Sequence, residues 1–176
     1  ARKVISYNGS KGIPFRYDSL STAQKSYLDN SQDMLEYLRG NRSKEGAPFR
    51  TRKNVLGDIV DSEATVVGAP SASYATDTGY AAFKAKYANR RKTVFAGAND
   101  GMLHAFDGDV GTATASPADT AGKELWAYVP NLVLRGSTSP ATDGLQARTK
   151  LDGFVHKYYV NHTPVTRDVD FANTKG

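Results

Sequence analysis

The stretch 93–107, Thr-Val-Phe-Ala-Gly-Ala-Asn-Asp-Gly-Met-Leu-His-Ala-Phe-Asp, carries the clearest structural pattern in this chain. Two apolar runs, Thr93–Ala98 and 102–106, flank the polar residues Asn99, Asp100 and Gly101. Glycine accepts the positive φ that a tight turn needs, and Asn and Asp are common beside it. The pattern therefore predicts a β-hairpin with its turn at residues 99–101.

Further strands are predicted on both sides of this hairpin. Residues 123–129 place Leu, Ala and Val on one face and Trp and Tyr on the other, and they end at Pro130, which a strand interior excludes. Residues 55–67 are rich in β-branched side chains and predict another strand, of which 64–68 is the part next to the hairpin. Both faces of these strands are apolar, so we expect a sheet covered on both sides, as in one four-stranded blade of a β-propeller.

The C-terminal part continues this pattern. Residues 154–160 alternate aromatic and polar side chains, and 163–171 is a further strand candidate, so together they predict the opening strands of a second blade. The intervening stretch 108–121 consists mostly of Gly, Ala, Thr and Ser and is expected to be an exposed loop. Because a closed propeller needs about four blades or more, this chain is not expected to close a ring by itself.

Two short helices are predicted before the sheet. Ser21 and Gln24 have the spacing of a capping box, which predicts a helix over 22–28. Ser31 is a second N-cap candidate, and Gly40 stands where a left-handed residue ends a helix, which predicts a helix over 31–39. A helical turn or two is also expected over 81–88.

The predicted fold class is therefore mainly β. Residues 1–53 form a helical and loop lead-in segment, and residues 54–176 begin a β-propeller, with about one blade and the opening strands of the next. A hydrophobic share of 39% in 176 residues is sufficient for a packed core.

Composition excludes several kinds of protein. The chain has no cysteine, so disulfides, thiolate metal sites and cysteine nucleophiles are excluded. The net charge of +5 comes with short basic clusters at strand entrances, around Arg52 and Arg91, without interleaved aromatic platforms, so no nucleic-acid partner is predicted. No apolar run approaches the roughly 18 to 20 residues of a membrane span.

Candidate catalytic and metal-binding groups are weak. Asp107 and Asp109, with Asp119, suggest a calcium cage, but the usual acidic loop with a closing Glu is missing, and an ordinary turn explains them better. The three histidines, His104, His156 and His162, lack metalloprotease spacing, and no nucleophile elbow, P-loop or dinucleotide fingerprint occurs. No catalytic, metal-binding or cofactor-binding residue is predicted.

Five blocks in order carry a family resemblance. They are Tyr37-Leu38-Arg39-Gly40, Arg42-Ser43-Lys44-Glu45-Gly46, Leu56-Gly57-Asp58-Ile59-Val60, Tyr80-Ala81-Ala82-Phe83 and Gly97-Ala98-Asn99-Asp100-Gly101-Met102-Leu103-His104-Ala105-Phe106-Asp107. In these five blocks the chain resembles the β-propeller domain of the PilC/PilY family of type IV pilus tip adhesins. The resemblance implies a non-catalytic, extracytoplasmic role at the cell surface, pilus tip or outer membrane, in pilus assembly, twitching motility and adhesion. It implies minor pilins and a host-cell or abiotic surface as partners, and calcium sites elsewhere in the family's longer chains.

A broader resemblance is to quinoprotein-type propeller repeats. Ala105, Asp107, the Gly122-Lys123-Glu124 turn and Trp126 match that repeat. The residues predicted to form a structural motif are Asn99, Asp100, Gly101, Asp107, Gly122 and Trp126. Trp126 has two interpretations, an aromatic wedge between blades or a stacking platform for a quinone cofactor. A quinone-dependent dehydrogenase and an outer-membrane assembly scaffold thus remain alternative functions, because propellers host all of these.

Overall fold

The computed structural model of the chain describes residues 2–74, 78–111, 120–138 and 142–169. Within these ranges the strands are β1 (Val4–Tyr7), β2 (Gly12–Pro14), β3 (Thr65–Val67), β4 (Thr93–Ala98), β5 (Met102–Asp107) and β6 (Glu124–Val129). The helices are α1 (Thr22–Ser26), α2 (Gln32–Leu38), α3 (Thr78–Lys86) and α4 (Asn131–Arg135), with 3₁₀ helices at Tyr17–Ser19 and Leu145–Thr149. All six strands belong to one mixed sheet in the order β2-β1-β6-β5-β4-β3.

The predicted hairpin is confirmed. Strands β4 and β5 pair antiparallel from Thr93 opposite Asp107 to Ala98 opposite Met102. Gly101 has a φ of +92°, and its N–H donates to the Ala98 carbonyl at 3.1 Å. A Cβ at this position would also lie 2.3 Å from a Leu145 side-chain carbon, so both conformation and space require glycine.

A β-bulge places Glu124 and Trp126 of β6 on opposite faces of the sheet. The β5–β6 register shifts between Ala105 and Phe106, so that Trp126 lies opposite Ala105 and Glu124 lies opposite Phe106. A bulge re-aims side chains relative to regular alternation. Trp126 therefore shares a face with Ala105, whereas Glu124 lies on the opposite face.

The four predicted antiparallel strands β3 to β6 are present, and two strands from the first 14 residues extend them. β1 pairs parallel with β6, and β2 pairs antiparallel with β1. The interpretation of the first quarter as helix and loop missed these strands. Residues on both sides of the proposed boundary at 53/54 thus share one sheet, and that boundary stays a prediction.

Both predicted lead-in helices are present with their caps. Ser21 accepts a hydrogen bond from the Gln24 N–H while the Gln24 side chain accepts one from the Ser21 N–H, which completes the capping box of α1. Ser31 caps α2, and Gly40 beyond it has a φ of +105°. The helical turn expected over 81–88 is α3, where Phe83 and Tyr87 are in ring contact.

The strand predicted over 55–67 is wrong except for its last three residues, β3. Gly57 lies against the backbone of the hairpin turn, where a Cβ would be 2.2 Å from the Asp100 nitrogen. Its N–H donates to the Asp100 carboxylate, and the Asp58 carbonyl accepts from the Asn99 N–H. Residues 57–58 are thus used to hold the hairpin turn, which takes them out of a strand ladder.

The described part of the second strand pair, residues 154–169, contains no strand. This segment contacts residues 61–65 through side chains instead: the Glu63 N–H donates to the Thr163 hydroxyl, and the Thr65 hydroxyl donates to the Pro164 carbonyl. Strand propensity alone does not produce a strand without a partner ladder. The second-blade interpretation stays a prediction, residues 170–171 lie outside the described residues, and so do 112–119 of the loop expected over 108–121.

The core lies between one face of the sheet and the lead-in helices. It joins apolar residues of β1, β5 and β6 to those of α2, α4, the Leu145–Thr149 helix and the segments that flank α1: Val4, Phe15, Leu20, Leu28, Met34, Leu35, Tyr37, Leu38, Met102, Ala127, Val129, Leu134 and Leu145. The other face carries Phe95, Trp126 and Tyr128, which are only partly buried. Among the described helices, none has the length and apolar character to cross a membrane.

Candidate functional site

The hairpin turn lies at the centre of a buried polar cluster. Asn99 is fully buried: its side-chain amide donates to Asp58, and its side-chain oxygen accepts from the Tyr159 N–H. Its backbone carbonyl accepts from the Arg148 guanidinium. The turn is thereby joined to segments 41 residues before it and 60 residues after it.

Asp100 is the carboxylate at the middle of this turn and is 5% exposed. It accepts from the Gly57 N–H and the Met102 N–H, both at 3.1 Å. Its two oxygens lie 3.0 and 3.1 Å from His104 Nε2. The carboxylate therefore fixes the hairpin turn, the preceding segment and the histidine together.

His104 connects Asp100 to a second carboxylate. Its Nδ1 lies 3.2 Å from Glu124, which the bulge of β6 places on this face. Arg2, two residues before the start of β1, donates to Glu124 from Nε and Nη2 at 2.7 Å each. A chain of alternating charge, Asp100–His104–Glu124–Arg2, thus joins β5, β6 and β1.

Both ring nitrogens of His104 face carboxylates, so the doubly protonated ring satisfies both. Burial opposes the charge, but the hydrogen bonds with Asp100 and Glu124 outweigh it and raise the pKa of His104 to about 8. Burial also opposes the charge of Glu124, yet hydrogen bonds from His104 and Arg2 lower the pKa of Glu124 to about 2. Arg2 Nη2 is 3.4 Å from His104 Nδ1; with both groups protonated these are two donors that share Glu124 as acceptor.

Asp107 anchors the base of the following loop. Its buried carboxylate accepts from the Arg91 guanidinium at 2.6 Å, from the Thr120 hydroxyl and from the Asp109 N–H. The Thr120 hydrogen bond lowers the pKa of Asp107 most, and the Asp109 N–H and Arg91 add to this against the effect of burial. Gly122, with a φ of +72°, donates its N–H to the Asp107 carbonyl. Asp107 and Gly122 thus close the loop at both ends.

This arrangement bears on the calcium alternative at Asp107 and Asp109. Protein donors already occupy the Asp107 carboxylate, and Asp109 accepts from the Gly111 N–H as in a turn. Asp119 lies outside the described residues. Within the described ranges no three acidic or histidine side chains are grouped to hold a metal ion.

Trp126 stands apart from the polar cluster. It lies on the opposite face of the sheet, opposite Ala105, with its ring 5.7 Å from that of Phe95 at an angle of 55°. It is partly buried, and no charged side chain makes a hydrogen bond to it in the described structure. Its surroundings are aromatic and apolar, which is the setting of a packing residue.

Chemically, the cluster around the hairpin turn is a structural latch. The carboxylates of Asp100 and Glu124 face His104, Arg2 or backbone donors, and among the described residues no serine or lysine side chain makes a hydrogen bond to them. The structure brings Asn99, Asp100 and Gly101 together with His104, whereas Asp107 with Gly122 and Trp126 form two separate groups. Sequence reasoning did not identify Arg2, Glu124 or Arg148 as members of the cluster, because partners 20 to 122 residues apart carry no local signal.

Comparisons with known proteins agree with this fold. The family model described as "PilY1 beta-propeller domain" matches residues 56–176. A protein of Xylella fastidiosa strain Temecula1, named type IV pilus biogenesis factor PilY1 homolog, is 36% identical over 83% of this chain and 11% of its own length. The type IV pilus biogenesis factor PilY1 of Pseudomonas aeruginosa strain PAK is 33% identical over 97% of this chain and 15% of its own length.

The chain thus spans only about a tenth to a seventh of the length of these curated relatives. No solved structure gives a significant match. The matched family model covers the sheet from the segment before β3 onward, including the hairpin, the bulge and Trp126. The chain therefore belongs to the PilY1 β-propeller domain family.

Proposed function

We propose that this chain is a structural part of a type IV pilus biogenesis factor, in which it supports pilus assembly without catalysing a reaction. The observation that carries the proposal is the match of relatives named for pilus biogenesis across most of the chain. The geometry of the hairpin cluster agrees with a structural role, since its described buried groups hydrogen-bond one another.

The finer parts of the proposal concern place and partners. The protein acts outside the cytoplasm, at the cell surface, pilus tip or outer membrane. There it contacts minor pilins, promotes twitching motility and attaches the cell to a host or abiotic surface.

The face of the sheet that carries Trp126 fits a place inside a larger assembly. Phe95, Trp126 and Tyr128 are partly buried on this face, and Ile5 is 42% exposed. In a propeller such a face packs on the next blade, and each buried aromatic ring removes roughly 150 to 250 Å² from water. We propose that Trp126 is an inter-blade wedge.

Deletion of the gene tests the pilus role, with surface pili counted by electron microscopy and twitching zones measured on agar. We expect few or no pili and no twitching, both restored by the wild-type gene and by a Trp126→Phe variant, which keeps an aromatic ring. Normal pili in the deletion strain would contradict the proposal. A purified protein with quinone absorbance and dye-linked substrate oxidation, both lost in Trp126→Phe, would support the dehydrogenase instead.

A further inference from the structure

A groove of about 400 Å³ lies beside the edge strand β3. One side is the chain from Val66 to Ala72, and the other is formed by Thr166, Arg167 and Asp168, with Tyr74 and Arg90 at the rim. Its volume falls in the range of about 300 to 1,000 Å³ that small-molecule sites occupy. Neither the family match nor the pilus role accounts for this groove.

An aromatic platform stands at the rim of the groove. Tyr74 is 53% exposed and contacts Tyr80 edge-on, with the ring centres 4.8 Å apart. Tyr80 is held in place because its hydroxyl donates to Asp168 at 2.9 Å and accepts from the Ala72 N–H at 3.1 Å. Tyr80 is therefore fixed in place, and about half of the surface of the adjoining Tyr74 is exposed to solvent.

The polar groups of the groove are fixed to different degrees. Arg90 donates to the Gly68 carbonyl and lies 3.7 Å from the Asp168 carboxylate, so both groups are already engaged. Arg167 is exposed, and its one described hydrogen bond goes to the carbonyl of the adjacent Thr166. Arg167 is thus the cation best able to turn toward a ligand.

Basic side chains lie on one side of the groove, where Arg90 lines it and Lys92 lies against Gly68. The stretch 78–99 has Lys84, Lys86, Arg90, Arg91 and Lys92 and no Asp or Glu. The lining itself contains two arginines and one aspartate. An anionic ligand is therefore attracted to this end of the molecule, and more strongly at low salt.

From the exposed tyrosine ring, the basic surroundings and the hydroxyl-bonding groups, we propose that this groove binds a carboxylate-bearing sugar residue of an acidic oligosaccharide. The apolar face of a sugar ring packs on Tyr74, Arg167 pairs with the sugar carboxylate, and the exposed Ser71 exchanges hydrogen bonds with ring hydroxyls. This proposal rests on the surface attachment proposed above, because it names the chemical class of ligand on that surface.

Matched pairs of soluble sugars test the proposal on the purified protein by saturation-transfer NMR and calorimetry. The probes are sialyllactose against lactose, and trigalacturonate against its methyl ester. We expect at least one acidic sugar to bind about tenfold or more tightly than its uncharged partner, the usual effect of a hydrogen bond to a charged group. Binding should weaken as salt rises from 50 to 500 mM. Equal binding of charged and uncharged partners, or no binding of either acidic sugar, would overturn the proposal.

Variants separate this groove from general attraction to anions. Tyr74→Ala and Arg167→Gln should each weaken binding of the acidic sugar about tenfold. Tyr158→Ala and Arg135→Gln, which change another exposed tyrosine and another exposed arginine, should not weaken it. Circular dichroism verifies that all four variants stay folded. If hexaglutamate or a short extended peptide binds as tightly as the sugar and depends on Tyr74 in the same way, the ligand class is wrong.

The sugar proposal and the pilus proposal fail in different assays. Cells that carry Tyr74→Ala with Arg167→Gln should make normal numbers of pili but attach less to immobilised sialyllactose or polygalacturonate. Normal attachment of these cells, if pilus numbers are also normal, would count against the sugar site alone. Normal pili in the gene-deletion strain would count against the pilus role, while sugar binding by the purified protein would stand unaffected.

Discussion

The charge chain through His104 makes the stability of the fold depend on pH. His104 is fully buried, and its pKa is raised from 6.5 to about 8 by Asp100 and Glu124. A group whose pKa is higher in the folded state stabilises that state fully below its unfolded value, and the contribution is lost as the pH rises through the folded value. We therefore expect a loss of stability between about pH 6.5 and pH 8.

The size of this loss of stability follows from the unfolded and folded pKa values of His104, 6.5 and about 8. Each pH unit between them corresponds to about 1.4 kcal/mol, so the free energy of unfolding should fall by about 2 kcal/mol from pH 6 to pH 9. For a chain of this length that change lowers the melting temperature by about 4 to 8 °C.

Urea unfolding at pH 6, 7, 8 and 9, followed by circular dichroism, measures the effect. His104→Gln should be less stable than the wild type at pH 6 and should have lost most of the pH dependence. His156→Gln is the matched control, because His156 pairs with the half-exposed Asp58 and lies outside the buried charge chain. Stability that is constant or rises from pH 6 to pH 9, or an unchanged pH dependence in His104→Gln, would refute the reasoning.

Three further predictions concern packing and backbone. Gly101→Ala should lower the free energy of unfolding by about 2 to 4 kcal/mol, because a Cβ there meets Leu145 in addition to the backbone strain. Gly122→Ala, with open space around it, should lower it by about 1 kcal/mol. Urea unfolding midpoints of the two variants check this order. Trp126→Ala should lower the free energy of unfolding by about 3 to 5 kcal/mol in the longer protein but distinctly less in this chain alone, where the ring is only partly buried. The melting temperature should therefore fall further in the longer protein. Equal losses of stability in the two settings would contradict the role of Trp126 as an inter-blade wedge. Ser21→Ala should cost about 1 kcal/mol through the lost capping box, and Ser21→Asp, which can still cap, should restore most of it in the same unfolding assay.

Local patterns in the sequence were sufficient to predict the elements whose causes are local. The hairpin depends on a turn of three residues with glycine at a positive φ, and the helices α1 and α2 depend on caps at Ser21 and Ser31. The strand β6 follows from its alternation and from Pro130, which stops it. In each case the residues that determine the structure are neighbours in the chain.

Residues 55–67 show where local propensity was insufficient. Their β-branched side chains favour a strand, yet only Thr65–Val67 pairs with β4. Gly57 and Asp58 instead hold the hairpin turn through hydrogen bonds to residues more than 40 positions away. A strand needs a partner ladder as well as propensity, and that partner is chosen by the whole fold.

The sequence by itself determined the hairpin, the helix starts, the turn glycines and, through its ordered blocks, the family. Only the tertiary structure decided that β1 lies parallel to β6 and that Arg2 meets Glu124 across 122 positions of the chain. It also decided that a bulge places Glu124 beside His104 while Trp126 lies on the other face. The physical reason is that turns and caps are stabilised by adjacent residues, whereas strand partners and buried charge pairs are selected by the packing of distant segments around a shared core.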